Sequence, residues 1–103
     1  MTSEHGKIDN DLLLSEELIF HGMVTGNVTI DNGGKFILDG MCCKDLIIKE
    51  GGECYIHGTV VGNVDNIGGY LEVFGTISGH LRTSNNAETI IGKLAVINNG
   101  NDK

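Results

Sequence analysis

The chain of 103 residues has no proline and no tryptophan, and its aromatic residues are limited to three phenylalanines and two tyrosines. A domain of this length ordinarily packs around several large side chains. Here burial has to come from many medium aliphatic residues, which suits stacked thin layers better than a ball. Cysteine is scarce as well. The three present include the adjacent Cys42 and Cys43, and an odd count of this kind does not make a disulfide framework. With no signal-peptide pattern at the start, this usage points to a reducing, cytoplasmic setting. No apolar run approaches the roughly 18–20 residues needed to span a bilayer. Basic residues are outnumbered, with 7 Lys and Arg against 14 Asp and Glu and a net charge of −7. Nucleic acids and anionic membranes are bound through basic patches, so both are excluded as partners.

What the chain does have is glycine, 16 residues of it, and the glycines recur. The segments Gly22-Met-Val-Thr-Gly-Asn-Val28, Gly40-Met-Cys-Cys-Lys-Asp-Leu46, Gly58-Thr-Val-Val-Gly-Asn-Val64 and Gly75-Thr-Ile-Ser-Gly-His-Leu81 align, with leading glycines spaced by 18, 18 and 17 residues. Gly92 continues the series 17 residues later. Small pairs follow the anchors as Gly33-Gly34, Gly51-Gly52, Gly68-Gly69 and Asn85-Asn86. Periodicity of this length is a signature of repeat architectures.

Apolar and polar residues alternate within each repeat. Phe20, Leu38, Ile56, Val73 and Ile90 lie two positions before the anchors, and Val24, Cys42, Val60, Ile77 and Leu94 two positions after. Val28, Leu46, Val64 and Leu81 lie six after, and Ile30 and Ile48 eight after. Period-two alternation means strands with one buried face. A repeat of 17 or 18 residues is too short to contain a helix and fits one coil of three short strands. Glycines at fixed offsets supply the positive φ angles and close backbone approach of the corners. Leu12 falls where Ile30 sits and Leu18 where Phe36 sits, which carries the register backward. The expected fold is all-β, a single-stranded β-helix (β-solenoid) of about five coils over residues 10–97, with polar, disordered tails at 1–9 and 98–103. At one strand spacing per coil the rod is on the order of 24 Å long.

The pattern Gly-x-aliphatic-x-Gly-x-aliphatic, followed by a Gly-Gly corner and another aliphatic pair, resembles the bactofilins over about residues 15–97. The resemblance implies a β-helical core that polymerises end to end into nucleotide-independent filaments, often at a membrane. Bactofilins usually flank the core with proline-rich tails, and some carry an N-terminal membrane-targeting segment. This chain has no proline, and Met1–Lys7 is polar, so polymers of it are expected to form free of the bilayer.

Chemistry-bearing motifs are few. Gly62-Asn-Val-Asp-Asn-Ile-Gly-Gly69 has neither the lysine nor the helix of a phosphate loop, and coil corners account for its glycines. One position before the anchors, His21, Asp39 and His57 form a column on successive coils that continues as Phe74 and Ile91. A carboxylate between two imidazoles suggests a base or a metal site. The column points outward, however, and its histidines are two strand spacings, about 9.6 Å, apart at the backbone. It reads as a solvated ladder. Cys54 and His57 have a ligand-like spacing but opposite parity, and Cys42 faces inward as a small hydrophobe. No catalytic constellation can be assembled and no cofactor is expected: the chain reads as non-enzymatic.

The surface carries the remaining signal. Ile19, Ile37 and Tyr55 (three before the anchors), Met23 and Met41 (one after), and Val61 and Phe74 are expected to point outward, and a solenoid does not need them to fold. They make a candidate protein interface. Open strand edges at the ends of a solenoid either pair with another copy or are blocked. Asp9, Asp11, Glu16 and Glu17 cluster at the start, whereas Leu94, Val96 and Ile97 make the C-terminal end the candidate end-to-end contact. The primary expectation is a structural unit that self-associates through its ends. The alternative is an acidic, immunity-type inhibitor that occludes a basic toxin or nuclease, with Glu50, Glu53 and Glu72 among the charges involved.

Overall fold

A computed structural model describes residues 2–4, 6–84, 86–98 and 101–102, with side chains for 6–84 and 86–98. It is an all-β solenoid in which each coil contributes three strands to three parallel sheets. The first sheet stacks β1 (Thr2–Glu4), β4 (Glu17–Phe20), β7 (Lys35–Leu38), β10 (Glu53–Ile56), β13 (Tyr70–Val73) and β16 (Glu88–Ile91). The second stacks β2 (Lys7–Ile8), β5 (Met23–Val24), β8 (Met41–Cys42), β11 (Thr59–Val60), β14 (Thr76–Ile77) and β17 (Val96–Ile97). The third stacks β3 (Leu12–Leu14), β6 (Val28–Ile30), β9 (Leu46–Ile48), β12 (Val64–Asn66), β15 (Leu81–Thr83) and β18 (Asn101–Asp102). The molecule measures 31 × 25 × 21 Å along its principal axes.

The alternation of the sequence becomes the pleat. In the middle coils every second strand residue is buried, and register places like on like. Phe20, Leu38, Ile56 and Val73 form one ladder, with Leu18, Phe36, Cys54 and Leu71 beside it on the same sheet. The ladders Val24–Cys42–Val60–Ile77 and Val28–Leu46–Val64–Leu81 close the core from the other two sheets, and all but Leu18 among these side chains are fully buried. Each buried aliphatic side chain is worth roughly 1.5–3 kcal/mol against exposure. Medium residues in ladders thereby replace the large side chains the chain lacks.

Two kinds of corner hold the coils in step. Gly22, Gly40, Gly58 and Gly75 stack so closely that a Cβ on any of them would overlap the carbonyl oxygen of the glycine one coil earlier. At these four positions close approach, not a positive φ, is the requirement; Gly6, beneath Gly22, has φ 100°, and Gly33 and Gly51, at φ 87° and 84°, carry that need in another corner. Between the second and third sheets runs a ladder of Asp11, Asn27, Asp45 and Asn63. Their side-chain oxygens accept the backbone N–H of Asn27 (2.8 Å), Asp45 (3.1 Å), Asn63 (2.9 Å) and His80 (2.8 Å) respectively. Amide and carboxylate alternate along it, so no two carboxylates meet at one strand spacing.

The register departs from the sequence expectation at both ends. Leu12 pairs with Val28, and Leu14 takes the place opposite Ile30. The cause is the corner before β4, which has two residues (Ser15, Glu16) where the next coil has four (Asp31 to Gly34). In the last coil Val73 faces Ile91, not Ile90, and Ile77 faces Ile97, not Leu94. Gly92 donates its N–H to Val73 O just as Phe74 donates to Ile56 O, so Gly92 falls opposite Phe74. Lys93 and Leu94 then form an inserted turn, closed by Ala95 N–H donating to Gly92 O, before β17 rejoins its sheet. Strands also lie outside the expected limits of 10–97. Ile8 in β2 packs against the core opposite Val24, and β18 pairs with β15.

Candidate interaction surfaces

The outward residues singled out by sequence do face away from the core, but on two sheets. Ile19, Ile37 and Tyr55 form a column on the first sheet, half-buried by their neighbours. Met23 and Met41 form a column on the second, where Val61 is also exposed. The stacked glycine corner separates the two, and Phe74 sits beside it, exposed. The stripe is therefore two patches around a ridge of bare backbone.

The histidine column breaks into pairs. His21 Nδ1 lies 3.4 Å from Asp39 Oδ2. His57 instead stacks on the Phe74 ring, with centroids 5.3 Å apart. The column ends at Gly92, not Ile91, because of the register change. Among the described residues no three His, Cys, Asp or Glu side chains come together as a metal-binding group. Cys42 and Cys54 are buried, and burial pushes both thiols up, Cys42 to about 11. Cys43, just past the end of β8, is half-exposed.

Two further features stand out, of which the first went unread in the sequence. On the first sheet, Tyr55 and Tyr70 lie with ring centroids 6.0 Å apart. The Tyr55 hydroxyl donates to Glu53 Oε1 (2.9 Å) and the Tyr70 hydroxyl to Glu72. Burial and then the Glu53 hydrogen bond raise Tyr55 to about 12; the Glu72 hydrogen bond, then burial, raises Tyr70 to about 12. Tyr70 follows a Gly-Gly corner at the same offset as Lys35 and Glu53, so alternation alone marks it as outward.

The second feature is the last coil. Ile90, Ile91, Leu94 and Val96 are all exposed there, Leu94 by 90%, while Ile97 is half-buried against the core. At the opposite end Leu14 and Leu18 are each only 8% accessible. The core also turns polar toward the C-terminal side. Asn66, at the position of Ile30 and Ile48, is fully buried. Its Nδ2 donates to Glu88 O (2.8 Å) and Thr89 Oγ1 (3.0 Å), and its Oδ1 accepts from Gly69 N–H (3.0 Å). Thr83 and Thr89 share a further hydroxyl bond of 2.8 Å.

No helix among the described residues is long and apolar enough to cross a membrane. No family model, no curated protein and no solved structure matches the chain. The ladder architecture is consistent with a β-helix family such as the bactofilins, and the fold is a β-solenoid of about five turns with about 18 residues per turn.

Proposed function

We propose that this protein is a non-enzymatic interaction module, a bactofilin-like structural unit that self-associates through its solenoid ends. The observation that carries the reading is the last coil. Four large apolar residues, Ile90, Ile91, Leu94 and Val96, stand exposed within seven positions, beside strands β16, β17 and β18 whose outer edges are unpaired among the described residues. An open parallel edge with apolar side chains is a template for another copy. The opposite end exposes Leu13 but keeps Leu14 and Leu18 nearly buried, and Asp9, Asp11 and Glu16 stand exposed around it.

Light scattering over a range of concentrations, with negative-stain electron microscopy of the same samples, tests the reading. Mass that rises with concentration, and oligomers or filaments on the grid, are expected. A strict monomer at the highest concentration would overturn it.

A further inference from the structure

The outer face of the first sheet is a grid of two columns. One runs Glu17, Lys35, Glu53, Tyr70, Glu88; the other runs Ile19, Ile37, Tyr55, Glu72, Ile90. Lys35 is the one cation at these positions, against four carboxylates. It is already engaged: its ammonium lies 3.6 Å from Glu17 Oε2 and 5.5 Å from the centre of the Tyr55 ring. Tyr70 has the same kind of surroundings without a cation. Glu53 and Glu88 are its partners in the strands on either side, and Glu72 lies two residues along its own strand. Three carboxylates around one aromatic ring repel one another while no positive charge lies between them. An aromatic face beside carboxylates attracts an ammonium or guanidinium, and Lys35 on Tyr55 shows that attraction within this sheet.

We infer that this face docks a basic polypeptide segment, with a lysine or arginine of the partner over Tyr70 among Glu53, Glu72 and Glu88. Charge complementarity selects the partner. The half-buried Ile37 and the Tyr55 ring give its aliphatic stems a surface to lie on. Glu53, Tyr70 and Glu72 lie on the two coils before the last, whereas Glu88 and Ile90 belong to the last coil, so this surface adjoins the one proposed for self-association.

The test is fluorescence anisotropy with a labelled peptide of alternating lysine and alanine, at low and at physiological salt. Tyr70→Thr leaves the net charge unchanged and keeps a strand-forming residue; it is expected to weaken binding about three- to five-fold. Glu88→Gln is expected to weaken it by about two-fold or more. Asp65→Asn removes the same unit of charge from the outer face of the third sheet and is expected to leave binding unchanged. Thermal melts of each variant confirm the fold. Absence of binding at low salt would overturn the inference. So would equal losses for Asp65→Asn and Glu88→Gln with none for Tyr70→Thr, because the peptide would then be reading the charge of the whole molecule.

Discussion

The coil from Lys35 to Gly52 and the coil that begins at Glu88 are built from the same repeat, yet they meet opposite fates. In the first, Phe36, Leu38, Cys42, Leu46 and Ile48 are all fully buried, each sandwiched between equivalents above and below. In the second, Ile90 and Ile91 are both exposed, and the chain inserts a turn before it finds its sheet again. A solenoid residue is buried only if it has a neighbour on both sides, so the last coil inherits apolar side chains without the coil that would cover them. The part-buried hydrogen bonds of Asn66, Thr83 and Thr89 end the aliphatic stack from within. The exposed isoleucines leave the end open from without.

This contrast makes the largest predicted effect a difference between equivalent positions. Leu38→Ala removes a ladder member packed on both sides and is expected to cost about 2–5 kcal/mol, whereas Ile91→Ala in the same column should cost less than about 1 kcal/mol. Urea unfolding of both variants measures the gap, and similar losses would mean that the end coil is as well packed as the middle. The corners should show the same asymmetry on a smaller scale. Gly40→Ala forces a methyl into the Gly22 carbonyl and is expected to cost about 3 kcal/mol, at the upper end of overpacking. Gly92→Ala would place its Cβ 2.7 Å from Phe74 Cδ1, a side chain that can swing outward, and should cost about 1 kcal/mol or less.

Much of this is legible in the sequence. The glycine anchors and the period of two place every ladder of the middle coils correctly, because a repeat stacked on itself forces equivalent residues together. Legibility failed where the repeat changes length. The repeat sets Leu12 against Ile30, since nothing in Ser15-Glu16 announces a corner two residues shorter. Gly92 preserves the anchor spacing, but the chain uses it opposite Phe74 and adds Lys93-Leu94, so Leu94 leaves the core and Ile97 enters it. Asn27, Asp45 and Asn63 are visible in the aligned segments as a polar residue before each aliphatic one; Asp11 joins their ladder only once Leu12 is set opposite Val28. The ladder's role needed the backbone N–H groups to be placed. Among the candidate interface residues, alternation gave direction correctly but not grouping, because the glycine corner divides Ile19, Ile37 and Tyr55 from Met23 and Met41.

Two smaller effects sharpen the comparison. Asn66→Ile would extend the Ile30–Ile48 ladder but strand Glu88 O and Gly69 N–H, at about 1–3 kcal/mol. Hydrogen exchange should report the loss at Glu88–Ile91 while Lys35–Leu38 stays protected; uniform loss would show that the two regions unfold as one. The tyrosines link stability to pH. Their hydroxyls ordinarily titrate near 10, and both are raised to about 12 in the fold. The folded state thus favours the neutral phenol, and this contribution is whole below pH 10 and is lost as pH rises from 10 to about 12. Urea midpoints should fall over that window, less steeply in Tyr70→Phe, and phenolate absorbance should rise late; an unshifted titration would contradict the Glu53 and Glu72 hydrogen bonds.

The open last coil is the centre of the account, and sedimentation velocity of the wild-type chain beside Ile91→Lys, across a range of concentrations, tests it most directly. Ile91 is exposed at the end of its column, so a lysine there should leave the folded unit intact while placing a charge in the contact. The account predicts a wild-type mass that grows with concentration and a variant that stays monomeric with the same melting curve. Equal assembly by both chains, or a monomer in both, would contradict it.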